Sequence, residues 1–182
     1  MDYPVYTADE AHDRETFLAL MWALSYPGRI CDIGGTAHTH ETFSAIGSAL
    51  LDLETSFCTP DAALAEELLR TGARHLPAAQ AAYHFYPALD GTALESIAQA
   101  RVGSMLRPDE GVTLIIGCAF ASGSTFTLAG PGIQTTHDIR LGGIPVRFWG
   151  LRERVIRYPL GWDVYFVDHG HVIGLPRTTR VG

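Results

Sequence analysis

The chain has 182 residues, of which 47% are apolar and 18% charged, and a formal net charge of −7; that is length for one sizeable core and composition for a globular fold, so a single domain over residues 1–182 is expected. Net acidity argues against nucleic acid as a partner, since a phosphate backbone asks for a dominant basic patch, and no apolar run approaches the roughly 20 residues of a membrane span. All 13 basic residues are arginine, and the lack of any lysine excludes Schiff-base chemistry, a pyridoxal-phosphate anchor and the phosphate-loop lysine together.

The first stretch is acidic and has no apolar centre, unlike a secretory signal, which makes a cytoplasmic location the expectation. Over residues 9–25, Phe17, Leu20, Met21 and Leu24 recur at helical spacing behind first turns rich in Glu10, Asp13 and Glu15, and Tyr26-Pro27-Gly28 ends the helix. After a Gly34-Gly35 turn, Thr39 or Thr42 is positioned to cap a second helix with the stripe Phe43, Ile46, Leu50 and Leu53. A short strand over 56–59 passes through Pro60-Asp61 into a helix that carries Leu64, Leu68 and Leu69 to Gly72. Residues 82–86 read as a strand, 92–101 as a helix closed by Gly103, and 112–120 as a buried strand entered through Pro108-Asp109-Glu110-Gly111. Ser122-Gly123-Ser124 reads as a tight return into a strand over 125–128, and Gly130-Pro131-Gly132 as its exit.

Pro145 opens a helix to about residue 157 with Phe148, Leu151 and Val155 on one face and Arg147, Arg154 and Arg157 opposite. The formal balance is −10 over residues 1–100 and +3 over 101–182. In so polarised a chain, a basic helix face beside an exposed Trp149 suits docking, which makes Arg147, Trp149 and Arg154 the expected partner-binding residues. A merely solvated face is the competing reading.

Trp162, Val164 and Phe166 alternate along a strand, and 172–175 is a second apolar run, so the two pair antiparallel across Asp168-His169-Gly170. Pro176 halts the ladder and leaves Arg177, Thr178 and Thr179 in irregular backbone at a sheet end, where a guanidinium and two hydroxyls suit a phosphate or a carboxylate. With Asp163 these are the substrate-binding candidates; the alternative is a structural clasp in which Asp163 holds Arg177 across the hairpin. Strand pairs joined by tight turns among alternating helices give an α/β fold with a mixed parallel and antiparallel sheet flanked by helices.

His38-x-His40 and His169-x-His171 each have a metal-like spacing, but a site needs a third ligand such as Asp168 or Glu41, and no metal is expected. Cys31, Cys58 and Cys118 lie far apart and read as core residues. Gly130-Pro131-Gly132 and Gly142-Gly143 lack the form of a phosphate loop and are better explained as turns. No catalytic residue is assigned.

Four stretches, FLALMWALSYPGRI, VGSMLRPDEGVTLIIG, LAGPGI and YPLGWDVYFVDHGHVIGLPRTT, bracket nearly the whole chain. In them the chain resembles the PhnH family, a subunit of the bacterial carbon–phosphorus lyase system that breaks down organophosphonates. The family's Met-Ser-x-Pro-Gly stop appears as Leu24-Ser25-Tyr26-Pro27-Gly28, with leucine for methionine, while Pro-Leu-Gly-x-Asp at 159–163 and Pro-Arg-Thr-Thr at 176–179 are intact. The resemblance implies assembly with core subunits G, I and J, a homodimer when isolated, and a need for this chain in forming ribose 1-phosphonate 5-triphosphate. It implies scaffolding rather than catalysis, and a fold like that of pyridoxal-phosphate-dependent transferases without the cofactor. The alternative is a phosphate-binding contribution to an active site shared with a partner subunit.

Overall fold

Residues 7–34, 36 and 38–182 are described by the computed structural model; the start of the acidic N-terminal stretch and Gly35 of the Gly34-Gly35 turn lie outside them. A seven-stranded sheet runs in the order β1 (Ile30–Asp32), β9 (His171–Leu175), β8 (Asp163–Asp168), β5 (Thr113–Gly117), β4 (Tyr83–Tyr86), β2 (Ser56–Cys58) and β3 (Arg74–His75). From β8 to β3 the strands are parallel, whereas β9 is antiparallel to both β8 and β1. A smaller antiparallel sheet has the order β10 (Arg180–Val181), β6 (Ala119–Ala129) and β7 (His137–Gly142).

Because strand side chains alternate between faces, each central strand serves two cores, and its apolar residues run without interruption. Leu114, Ile116, Val164, Phe166 and Leu175 turn to one side, where they meet α4 (Gly91–Ile97), α5 (Val146–Val155) and Leu128, Ile139 and Leu141 of the small sheet. Ile115, Tyr165, Val167 and Val172 turn to the other, against α1 (Ala8–Ser25), α2 (Thr39–Leu50) and α3 (Ala62–Leu68). The expected α/β domain with a mixed sheet between helices is the observed one. No helix among the described residues is long and apolar enough to cross a membrane.

Local chemistry sets the helix starts: Thr7 and Glu10 form a capping box on α1, and Asp61 and Asp90 accept from Leu64 and Ala93 amides at 3.0 and 2.7 Å. Five expectations need correction. The cap of α2 is His38, not Thr39 or Thr42; Thr42 is buried and accepts the Gly170 amide at 3.0 Å, tying the helix to the β8–β9 hairpin. Since α2 ends at Leu50, Leu53 falls outside its stripe and is 79% exposed. Helix α4 stops at Ile97, four residues short of Arg101. The strand from Val112 ends at Gly117, where a Cβ would lie 2.2 Å from the Pro87 carbonyl oxygen, and Ser122-Gly123-Ser124 is no hairpin return. It sits inside β6 as a bulge, with Phe120 and Ser124 both opposite Leu141. Serine and glycine mark a break in a ladder, and a bulge and a turn share that signal.

His84 on β4 is buried among the core side chains. Its Nε2 lies 3.0 Å from the Ala78 carbonyl, which only accepts, so Nε2 carries the proton and Nδ1 accepts from the Tyr86 hydroxyl at 3.0 Å. Burial pushes its pKa down to about 4 from 6.5. As pH falls below the unfolded value, the unfolded chain takes up a proton that the folded chain refuses. Stability therefore declines, by about 2 kcal/mol between pH 6 and pH 4.5. Urea unfolding at the two pH values checks this: His84→Gln is expected to show a smaller difference than the wild type, and an equal one refutes the assignment.

Candidate functional site

The Pro-Arg-Thr-Thr element leaves β9 beside α5, and the two enclose a cavity of about 870 Å³ whose lining includes Trp149, Arg152, Arg177, Thr178, Thr179 and Arg180. Four expected residues, Arg177, Thr178, Thr179 and Trp149, thus share one cavity. Asp163 stands behind it, holding Arg177, while Arg147 and Arg154 lie exposed on α5 and are not part of its lining.

The Arg177 side chain is largely committed to the fold. Its Nη2 donates to Asp163 Oδ2 at 2.6 Å, its backbone amide donates to Asp163 Oδ1 at 2.8 Å, and its Nη1 donates to the Pro108 carbonyl at 2.7 Å. The clasp is therefore present, and little of the fork is left for a ligand. Thr178 is half-buried, whereas Thr179 is 1% exposed and its hydroxyl has no hydrogen-bond partner.

Arg152 is the residue that sequence reasoning missed. It is 3% exposed; Nη1 donates to the Thr179 carbonyl at 3.1 Å and Nη2 to the Pro176 carbonyl at 2.9 Å, while Nε is buried without a partner. Burial pushes its pKa down to about 10, with the nearby Asp163 charge working the other way. A signal was available: Arg152 lies four residues after Phe148, so it shares the apolar side of the helix.

Trp149 is not the exposed docking anchor expected. It is half-buried, with ring centroids 4.5 Å from Phe126, 5.2 Å from Phe148 and 5.7 Å from Phe166, and its indole N–H is buried without a partner. Strand β6, which brings Phe126 over α5, is the element the sequence reading divided.

The histidine pairs serve turns and caps. The His38 amide donates to Glu41 at 3.3 Å, and His40 stands 3.8 Å from Glu67. His169 occupies the hairpin turn at φ 37°, with Nδ1 2.5 Å from Asp168, and His171 Nδ1 lies 2.9 Å from its carbonyl. Among the described residues no three His, Cys, Asp or Glu side chains converge to hold a metal. Burial raises the pKa of all three cysteines, that of Cys118 to about 12, so each stays a thiol at neutral pH.

A second surface was also missed. The outer side of α1 exposes Phe17, Leu18, Met21 and Trp22, with Phe17 at 50% and Trp22 at 47% exposure. Trp22 stacks on Tyr26 at 5.6 Å, and a groove of about 640 Å³ runs from them to Ile30 on β1. Strand β1 is an edge of the main sheet, so unpaired backbone groups adjoin the apolar face. Phe17 and Met21 read as core in the sequence because α1 is apolar on both sides, with Leu20 and Ala23 turned inward.

A family model described as "Bacterial phosphonate metabolism protein (PhnH)" matches residues 4–182. The chain is also similar to a protein of Stutzerimonas stutzeri named "Putative C-P lyase subunit protein HtxG", at 33% identity over 168 residues, which cover 91% of this chain and 83% of that protein.

Proposed function

We infer, since the chain belongs to the PhnH family of bacterial phosphonate metabolism proteins, that it works in organophosphonate breakdown as a non-catalytic subunit of a carbon–phosphorus lyase assembly. It is needed there for the step that forms ribose 1-phosphonate 5-triphosphate, in contact with subunits of the G, I and J kinds. The apolar side of α1 beside the open edge β1 carries this reading. Exposed apolar patches of this kind mark protein contacts, and an aromatic pair such as Trp22 and Tyr26 is suited to anchor one. In isolation the same face joins two copies as a homodimer.

Protonated, partly buried cysteines and a neutral buried histidine support a role outside the chemistry. The mixed seven-stranded sheet is compatible with descent from pyridoxal-phosphate-dependent transferases, but the residues do not fit the cofactor: with no lysine in the chain, no amine is available to hold its aldehyde.

The test is a pair of substitutions, Met21→Asp with Trp22→Asp, on side chains about half exposed. The isolated chain is expected to fall from dimer to monomer mass by light scattering, and recovery with co-expressed partner subunits to drop at least about tenfold, the effect of losing a hot spot of about 1.4 kcal/mol or more. The unfolding midpoint should hardly move. Undiminished recovery with the partners refutes the reading.

A further inference from the structure

Three polar groups around the cavity under α5 are buried and unpartnered: Nε of Arg152, the indole N–H of Trp149 and the hydroxyl of Thr179. Trp149 and Arg152 stand on α5 and Thr179 on the segment after β9, and burying such groups without partners is costly. Arg152 adds a full charge. Its two hydrogen bonds go to neutral carbonyls, and it forms no ion pair among the described residues. A buried guanidinium asks for a countercharge, and an internal water would satisfy a donor without supplying one. Arg180 adds positive charge to the lining and Glu153 subtracts from it, while Arg177 is already neutralised by Asp163.

We propose that this cavity binds a small oxyanion group of the phosphate and phosphonate type, held by Arg152 and Thr179 with Trp149 at its side. The size suits it, since a cavity of about 870 Å³ falls within the ordinary range for small-molecule sites. So does the chemistry: a planar guanidinium with unused N–H groups beside a hydroxyl offers a fork plus a rotatable donor to tetrahedral oxygens. The site stands on the geometry, while the choice of phosphonate over carboxylate rests on the family reading. Thr179 belongs to the expected substrate-binding set; Arg152 replaces Arg177 as its charged member.

The experiment uses the purified full chain with methylphosphonate, inorganic phosphate and acetate, against chloride at equal ionic strength. At tenfold excess over its dissociation constant, either phosphorus anion is expected to raise the unfolding midpoint by about 3 °C, with saturation. Thr179→Val leaves the backbone carbonyl that Arg152 uses and removes only the hydroxyl, so the variant should fold and show a smaller shift. In Arg152→Met the shift should vanish. Should Arg152→Met not fold, the indole N–H resonance of Trp149, assigned by Trp149→Phe, should move on titration of wild type with methylphosphonate. A rise linear in salt and equal in all variants is general surface exclusion and overturns the proposal. An acetate response without a phosphonate response overturns the anion class and marks a seat for a carboxylate. None of these outcomes bears on subunit recovery, which tests the assembly reading separately.

Discussion

Gly174→Ala is expected to lower stability by about 3 kcal/mol, because alanine there overpacks a contact made of backbone. Gly174 lies on β9 under α1, and a Cβ would stand 2.6 Å from the Ala23 carbonyl carbon, 2.7 Å from its oxygen and 2.7 Å from the Leu24 nitrogen. No rotamer change relieves this, so α1 must lift. The helix is held at the same place by the Tyr165 hydroxyl, which donates to the Leu20 carbonyl at 3.2 Å, and by the Gly28 amide, which donates to the Gly174 carbonyl at 3.3 Å. Lifting it strains both. The measurement is a urea midpoint, with Gly150→Ala as its control: Gly150 is exposed within α5, a Cβ there meets nothing within 4 Å, and alanine should stabilise by about 1 kcal/mol. Equal, small effects at the two sites would refute the close-approach argument. Because α1 also carries Phe17, Met21 and Trp22, Gly174→Ala should weaken subunit recovery even where the chain remains folded.

The family stretches converge on two packing nodes. At the first, the helix stop at Ser25 to Gly28 meets LAGPGI: a Cβ on Gly132 would lie 2.5 Å from the Ser25 carbonyl oxygen, and one on Gly28 would lie 2.8 Å from Leu128. Gly28 has φ 87° as well, so only glycine both turns and fits there. At the second, the Pro108 carbonyl accepts from Arg177, and a Cβ on Gly111 would lie 2.7 Å from the Gly161 carbonyl oxygen and 2.9 Å from Arg177 Nη1. These glycines, prolines and the Asp163–Arg177 pair fit the chain to itself.

Local signals made the C-terminal hairpin legible: alternation in 162–167, Asp168-His169-Gly170 as its turn, and Asp163 placed to meet Arg177. What escaped depended on tertiary packing. Arg152 was hidden because an arginine in an apolar stripe is usually an exposed edge residue, and its burial is decided by Pro176 and Thr179, more than twenty residues away. Trp149 was misplaced because Phe126 arrives from another sheet. Strand β7 was missed because Asp138 and Arg140 face outward on a small sheet with one buried face, and the other face begins with the polar His137, which leaves only Ile139 and Leu141 as a signal. The exposed side of α1 looked like core for a related reason, since periodicity reports apolarity and not what covers it.

Asp163→Ala is expected to cost about 4 kcal/mol, because it leaves a partly buried guanidinium unpaired and removes the acceptor of the Arg177 amide. The two side chains are 16% and 21% exposed, so the low end of the buried-pair range, about 3 kcal/mol, applies to the charge, and the backbone hydrogen bond adds about 1. Most of the loss is the penalty on a stranded Arg177. The double variant Asp163→Ala with Arg177→Met should therefore be more stable than Asp163→Ala alone, although it lacks both partners. Asp163→Asn should fall between, keeping an acceptor for the amide without the charge. Guanidinium denaturation with unchanged slope measures all three. If instead the variants ranked by the number of groups removed, the pair would be acting as separate contacts. If Asp163→Ala left stability untouched while abolishing the methylphosphonate response, Arg177 would regain its place as the ligand-binding arginine, and the assignment to Arg152 would fall with the clasp.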